Sequence, residues 1–219
     1  MDAWEWEYAF SILPDLLRGL LVTFQATVLG SALALALGLV LALVRRSGLP
    51  ILSQGTWAFI ELVRSTPLLV QIYFVYNILP QFGITLNSLT AGVLALGVHY
   101  ATYTAEVYRA GIDAVPRGQW EAATALSLPS SRVWTGVVLP QAVPRVLPAL
   151  GNCVISMYKE VPLLLSIGVL DLVGRAREVA SDSFRPVEPY TLAGLFFLLL
   201  SYPAAVLVRR LERRVGIAH

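Results

Sequence analysis

Charge is scarce in this sequence. Asp, Glu, Lys and Arg make up 14% of its 219 residues, against 57% hydrophobic residues and a mean hydropathy of +0.69. That leaves too little polar surface to cover a water-soluble globule of this size, so the chain belongs in a bilayer. Neither sign of charge dominates: the net charge is +2, and the basic residues do not gather into a face or tail that could track phosphates, which sets nucleic acid aside as a partner. A single cysteine, Cys153, excludes both a disulfide framework and a thiolate metal cage. It lies in an apolar stretch and reads as a small packing residue. His99 has no second His, Cys or carboxylate at metal spacing, and it also reads as packing. There is no G-x-x-x-x-G-K-[ST] sequence to cradle nucleotide phosphates. With no low-complexity tract, internal repeat or soluble extension, residues 1–219 read as one transmembrane domain.

Long apolar runs are abundant. Windows of about nineteen residues pick out 16–44, 57–79, 88–108, 146–170 and 190–208, which predicts an all-α polytopic protein with about five membrane spans. The first run is too long for a signal-peptide core and is read as retained. It also exceeds a hydrocarbon core of about 30 Å, so it should tilt or project. Cytoplasmic loops accumulate Lys and Arg. Eleven arginines, including Arg45, Arg46, Arg109, Arg117 and Arg209, fall on one side of this pattern, against Arg18, Arg175, Arg177 and Arg185 on the other. The expected orientation is N-terminus out, C-terminus in, with Trp4, Trp6 and Tyr8 as an outer interfacial belt.

Residues 109–140 form a long cytoplasmic connection for so small a membrane protein. Pro116 and Gly118 punctuate its start, and residues 119–128 read as a short helix with an Ala122 and Ala123 surface and Glu121 near its N-terminus, where the helix dipole favours negative charge. Pro129 ends that helix, and Ser130 or Ser131 can cap a second one running to Leu139. Two short helices on the arginine-rich side make a docking knob for a soluble partner.

Glu121-Ala122-Ala123, the turn at Ser127 and the closing Leu139-Pro140 resemble the "EAA" loop of ABC importer permeases, whose short helix sits in a cleft of the ATPase subunit. The resemblance implies that Glu121, Ala122 and Ala123, with Gly118, Ser127, Leu139 and Pro140 around them, couple the chain to that ATPase. Ser127 departs from the family's glycine, and a serine adopts a left-handed backbone only at some cost, so the angle between the loop helices is expected to differ. Residues 61–71, Glu-Leu-Val-Arg-Ser-Thr-Pro-Leu-Leu-Val-Gln, and 102–111, Thr-Tyr-Thr-Ala-Glu-Val-Tyr-Arg-Ala-Gly, are similar to segments of the polar-amino-acid permeases. So is Lys159-Glu-Val-Pro-Leu163, with Val161 in place of the usual threonine. Residues 99–121 and Leu211-Glu-Arg-Arg214 are similar to the ectoine and hydroxyectoine subgroup. The resemblance implies a transport subunit of the bacterial inner membrane that is not itself an enzyme, with no cofactor of its own. ATP and Mg would be bound by two copies of a partner ATPase. A second permease chain, more often different than identical, and an extracytoplasmic solute-binding protein would complete the assembly.

An importer needs interior polar groups and helices interrupted without exposing backbone to lipid. Gln71, Tyr103, Glu106, Asn152, Lys159, Glu160 and Pro162 are the candidates for a substrate pathway. Lys159 and Glu160 are costly against lipid and should face the bundle interior, either as a zwitterion-binding pair or as a structural ion pair. Pro162 frees a carbonyl beside them. Gln71 either shapes the pathway or bridges two helices, and Glu106 with Arg109 fits an i,i+3 pair. Two rival readings are a rhomboid-like protease and an ion-coupled carrier or channel. The first would use Ser166 and His99 but lacks the Gly-x-Ser-Gly arrangement; the second would use Lys159 and Glu160 and leaves residues 109–140 unexplained.

Overall fold

The computed structural model describes residues 4–215, and every described element is helical. A short α1 (Trp6–Ser11) leads into α2 (Leu13–Arg45), which is about 50 Å long at 1.5 Å per residue. On α2, Ala26, Gly30, Ala34, Gly38 and Ala42 recur every fourth residue, and all are buried. A stripe of small residues lets two backbones approach closely in a membrane, and here it receives α5 (Ser88–Asp113) and the Met157 side chain. A Cβ on Gly38 would stand 1.9 Å from Thr104 Oγ1, and Thr104 Oγ1 donates across the interface to the Ala34 carbonyl at 2.8 Å.

Among the described residues, three helices are long and apolar enough to cross a membrane: Leu13–Arg45, Ser130–Ile167 and Val187–Arg214. A fourth crossing is a bent pair, Pro50–Arg64 and Leu68–Phe82, turned through 104°. The expected straight span over 57–79 is therefore broken. Pro67 lacks an N–H and keeps Thr66 out of the α region, so α3 (Pro50–Arg64) stops and α4 (Leu68–Tyr73) starts on a new axis. The 26 residues of α5 are also enough to cross, at about 39 Å, but they are less apolar because this is the inner helix. His99, Thr102 and Thr104 are buried among its neighbours rather than in lipid. Asn87 caps its start, accepting from the Thr90 N–H at 2.8 Å.

After α6 (Arg117–Ala125), the chain enters α7 (Ser130–Arg132), a π-helical segment Val133–Val138, and α8 (Leu139–Glu160) without a break. The expected second loop helix ending at Leu139 is thus the foot of the fourth apolar helix. Pro140 lacks the N–H that an α-helix would use there, and the wider π turn just before it takes up the mismatch. A 3-10 segment, Val161–Ile167, ends at Gly168, whose φ of +81° is left-handed. The chain then forms α9 (Leu172–Ser183) where an outer loop was expected, and α10 (Val187–Val215) closes the bundle. Asp171 is fully buried and caps α9 through the Gly174 N–H at 2.9 Å.

The two arginine groups occupy opposite ends of the bundle. Arg45 bonds Glu106 and Arg46 bonds Asp113 at the C-terminal end of α2. Arg175, Arg177 and Arg185 lie in or just beyond α9, which packs with Leu16 at the other end. There Arg185 pairs with Glu5 at 2.6 Å and stacks 4.8 Å from the Tyr8 ring centroid, and the Glu5 carboxylate holds its guanidinium above the usual arginine range. Tyr8, expected at the outer interface, is also tied to α9 through a 2.6 Å bond to Ser183 Oγ. Large apolar side chains such as Phe24, Leu62, Leu198 and Leu199 remain exposed, as a hydrocarbon-solvated exterior requires.

Candidate functional site: a docking loop and a polar cavity

The loop at the arginine-rich end is built on a small core of its own. Ile112, Val115, Val138 and Ala142 are buried, and Trp120 and Trp134 close over them edge to face, 5.6 Å between centroids at 84°. This arrangement is in the preferred range for aromatic pairs. It fixes α6 against the π-helical foot of α8. The helix begins at Arg117, so Glu121 lies in its second turn, beyond most of the dipole's reach, and is exposed. Ala122 is exposed too, whereas Ala123 is 3% exposed and packs inward, so the two alanines do not form one outward face. The outward surface consists of Glu121, Ala122, Ala125 and Leu126, the last 72% exposed. Gly118 is exposed in the first turn with nothing within 4 Å of an added Cβ, which leaves bare backbone on that surface. Leu139 and Pro140 are exposed at the start of α8.

Ser127 adopts the left-handed backbone of the glycine it replaces, with φ +51°. The Leu128 N–H bonds the Ala123 carbonyl at 3.1 Å and the Ser127 N–H bonds the Thr124 carbonyl at 2.9 Å. This is the Schellman pattern that normally takes glycine. The expected change of angle at this turn does not arise from a different backbone class.

The pathway candidates divide among four places. Tyr103, Asn152 and Glu160 line one cavity of about 310 Å³ together with His99, Tyr100, Cys153 and Ser156. Tyr100 Oη donates to Glu160 Oε2 at 2.9 Å. Lys159 and Pro162 line a different cavity of about 530 Å³ with α10 residues including Tyr202 and Arg209. Successive residues on a helix point about 100° apart, so Lys159 and Glu160 do not form the ion pair that adjacency suggested; Lys159 is exposed and Glu160 half-buried. Glu106 lies outside both cavities, bonded to Arg45 and to Arg109 at 2.7 Å, the expected i,i+3 pair.

Gln71 spans the break between α3 and α4. Its Nε2 donates to the Val63 carbonyl at 2.7 Å, the Thr66 carbonyl at 3.1 Å and Thr66 Oγ1 at 2.9 Å. Those bonds satisfy carbonyls left over where α3 ends. They also orient the amide, so Oε1 faces His99 and Nδ1 of that ring donates to it at 3.1 Å. His99 is therefore more than packing: it ties the broken helix to the cavity wall. The sequence does carry a signal for this wall, because His99 and Tyr103 on α5, and Asn152, Ser156 and Glu160 on α8, each recur at one-turn spacing.

A bundle of long apolar helices with one interrupted crossing, an internal polar cavity and a rigid exposed loop at one end is the build of a membrane transport subunit. The comparisons agree. The family model for the binding-protein-dependent transport system inner membrane component matches residues 34–217. A probable amino-acid ABC transporter permease of Sinorhizobium fredii is 42% identical over 205 residues, covering 94% of this chain and 89% of that protein. The glutamine transport system permease protein GlnP of Escherichia coli is 33% identical over 215 residues, covering 97% and 98%. In the crystal structure of an amino acid ABC transporter with histidines, one chain superposes with a TM-score of 0.90 at 35% identity, over 97% of this chain and 100% of that one. The chain belongs to the family of inner membrane components of binding-protein-dependent transport systems. It is a multi-pass permease of the bacterial inner membrane that works with a separate ATPase and a solute-binding protein.

Proposed function

We propose that the chain is one of two permeases in an ATP-driven importer of a polar amino acid or a related compatible solute. In this reading Glu121, Ala122 and Leu126 seat in the ATPase, of which two copies bind the assembly. The eleven-arginine end is cytoplasmic, and the second permease is a different chain. The observation that carries the reading is the outward surface of α6, held rigid by the tryptophan pair and the Ser127 turn at the foot of the helix that brings Glu160 to the polar cavity. The relatives named above support amino-acid transport. Ectoine or hydroxyectoine is the solute favoured by residues 99–121 and 211–214. The loop is where ATP-driven closure of the partner would enter the fold.

The test is ATP-dependent uptake of labelled ectoine and labelled glutamine by vesicles holding this chain, its ATPase, the second permease and the binding protein. Glu121→Lys is expected to abolish both uptake and solute-stimulated ATP hydrolysis, and the preferred label names the solute. Full uptake by that variant would remove the docking assignment.

A further inference from the structure

Glu160 and Lys159 open into different cavities, so the two do not together hold the opposite ends of a zwitterion. Among the described residues, the 310 Å³ cavity is lined by one full charge, the Glu160 carboxylate, and by no lysine or arginine. Oε2 of that carboxylate receives the Tyr100 hydroxyl, and no ion pair among the described residues engages Glu160. Around it stand three rings in mutual contact. His99 and Tyr103 are 5.2 Å apart between centroids, His99 and Tyr100 5.5 Å, and Tyr100 and Tyr103 6.0 Å. The negative face of an aromatic ring attracts a cation, and Tyr103 already holds the Arg64 guanidinium at 5.1 Å from its centroid. His99 donates Nδ1–H to Gln71 Oε1, and its ring lines the cavity. Asn152 and Ser156 complete the wall with neutral polar groups.

We infer that this cavity is a cation subsite, in which Glu160 and the His99, Tyr100 and Tyr103 rings take the ammonium, guanidinium or amidinium end of the solute and leave its carboxylate to groups outside this cavity. The inference rests on the proposed import of a polar solute and specifies which end of it this chain reads. Tyr100 acts through Glu160, orienting its carboxylate towards the cavity. A carboxylate bonded to a cation in a partly desolvated site contributes a charge-assisted hydrogen bond, which is among the stronger kinds.

The assay uses the purified assembly of both permeases and the ATPase, without binding protein, and measures equilibrium binding of four probes: L-arginine, L-glutamine, agmatine (a cation with no carboxylate) and glutarate (carboxylates with no cation). The wild type is expected to bind agmatine and the amino acids and to ignore glutarate. Glu160→Gln should weaken agmatine and arginine by about tenfold or more, and Tyr100→Phe should weaken them by about threefold. Gel filtration establishes that each variant has assembled; if Glu160→Gln fails to assemble, Tyr100→Phe decides. Unchanged agmatine affinity in an assembled variant, or glutarate binding as strong as agmatine binding, overturns the subsite. If the wild type takes up solute in vesicles while the variants bind agmatine normally, the subsite falls and the importer reading stands. If the wild type shows no ATP-dependent uptake of ectoine or glutamine, and no binding of agmatine, both fall.

Discussion

Ser127 shows a single position holding a geometry against its own preference. An L-residue in the left-handed region costs about 1–2 kcal/mol relative to the right-handed one, and a β-branched side chain fits it worst. Ser127→Val is therefore expected to loosen α6, raising amide exchange at Ser127 and Leu128, and Ser127→Gly to stabilise the turn by up to about 1 kcal/mol. Hydrogen–deuterium exchange of the purified assembly reads both changes. The turn was visible in the sequence as a position, but its backbone was not, because serine signals a cap or a helix interior more often than a left-handed residue. The same limit applies to Ala123, which composition placed beside Ala122 on one surface and packing turned inward. Glu160 and Asn152 were legible as costly polar groups in an apolar run. The one-turn spacing of His99 and Tyr103 hinted at the shared wall, but the bond from His99 to Gln71 is a contact across 28 residues that no local pattern encodes.

Helices were easier to read than their ends. The long apolar runs marked α2, α8 and α10, because hydrocarbon demands about twenty apolar residues in a row. The break at Pro67 was legible as a proline but not as a 104° turn, since the direction of a kink is set by what the second half packs against, here Leu68 and Ile72 in the central core. The close approach of α2 and α5 gives a test at this scale. Gly38→Val would drive new atoms into Thr104 Oγ1 and the Ala101 carbonyl, 1.9 Å and 2.8 Å from the first added carbon. The expected loss is at least about 2 kcal/mol of stability, seen as a lower melting temperature in detergent. Gly55→Val in α3, where an added carbon meets nothing within 4 Å, should stay within about 0.5 kcal/mol of the parent.

For the molecule as a whole, the arginine asymmetry and the fold agree on two distinct ends, and labelling can decide which one faces the cytoplasm. In a Cys153→Ser background, cysteine is introduced either at Phe184, 91% exposed beyond α9, or at Leu126 on the loop. A membrane-impermeant maleimide should label Phe184→Cys in intact cells and Leu126→Cys only after the membrane is opened; the reverse pattern would turn the protein over. Sequence alone divided the chain into a loop and a span at about residue 140, whereas the fold makes Ser130–Ile167 continuous. Between Val133 and Glu160 this rod is roughly 40 Å long, so a tilt of about 5° at its foot sweeps the Glu160 end through about 3–4 Å, more than a hydrogen bond's length. The rod is thus a lever, with a short stroke at the loop and a long stroke at Glu160, so a small displacement of the one becomes a large displacement of the other.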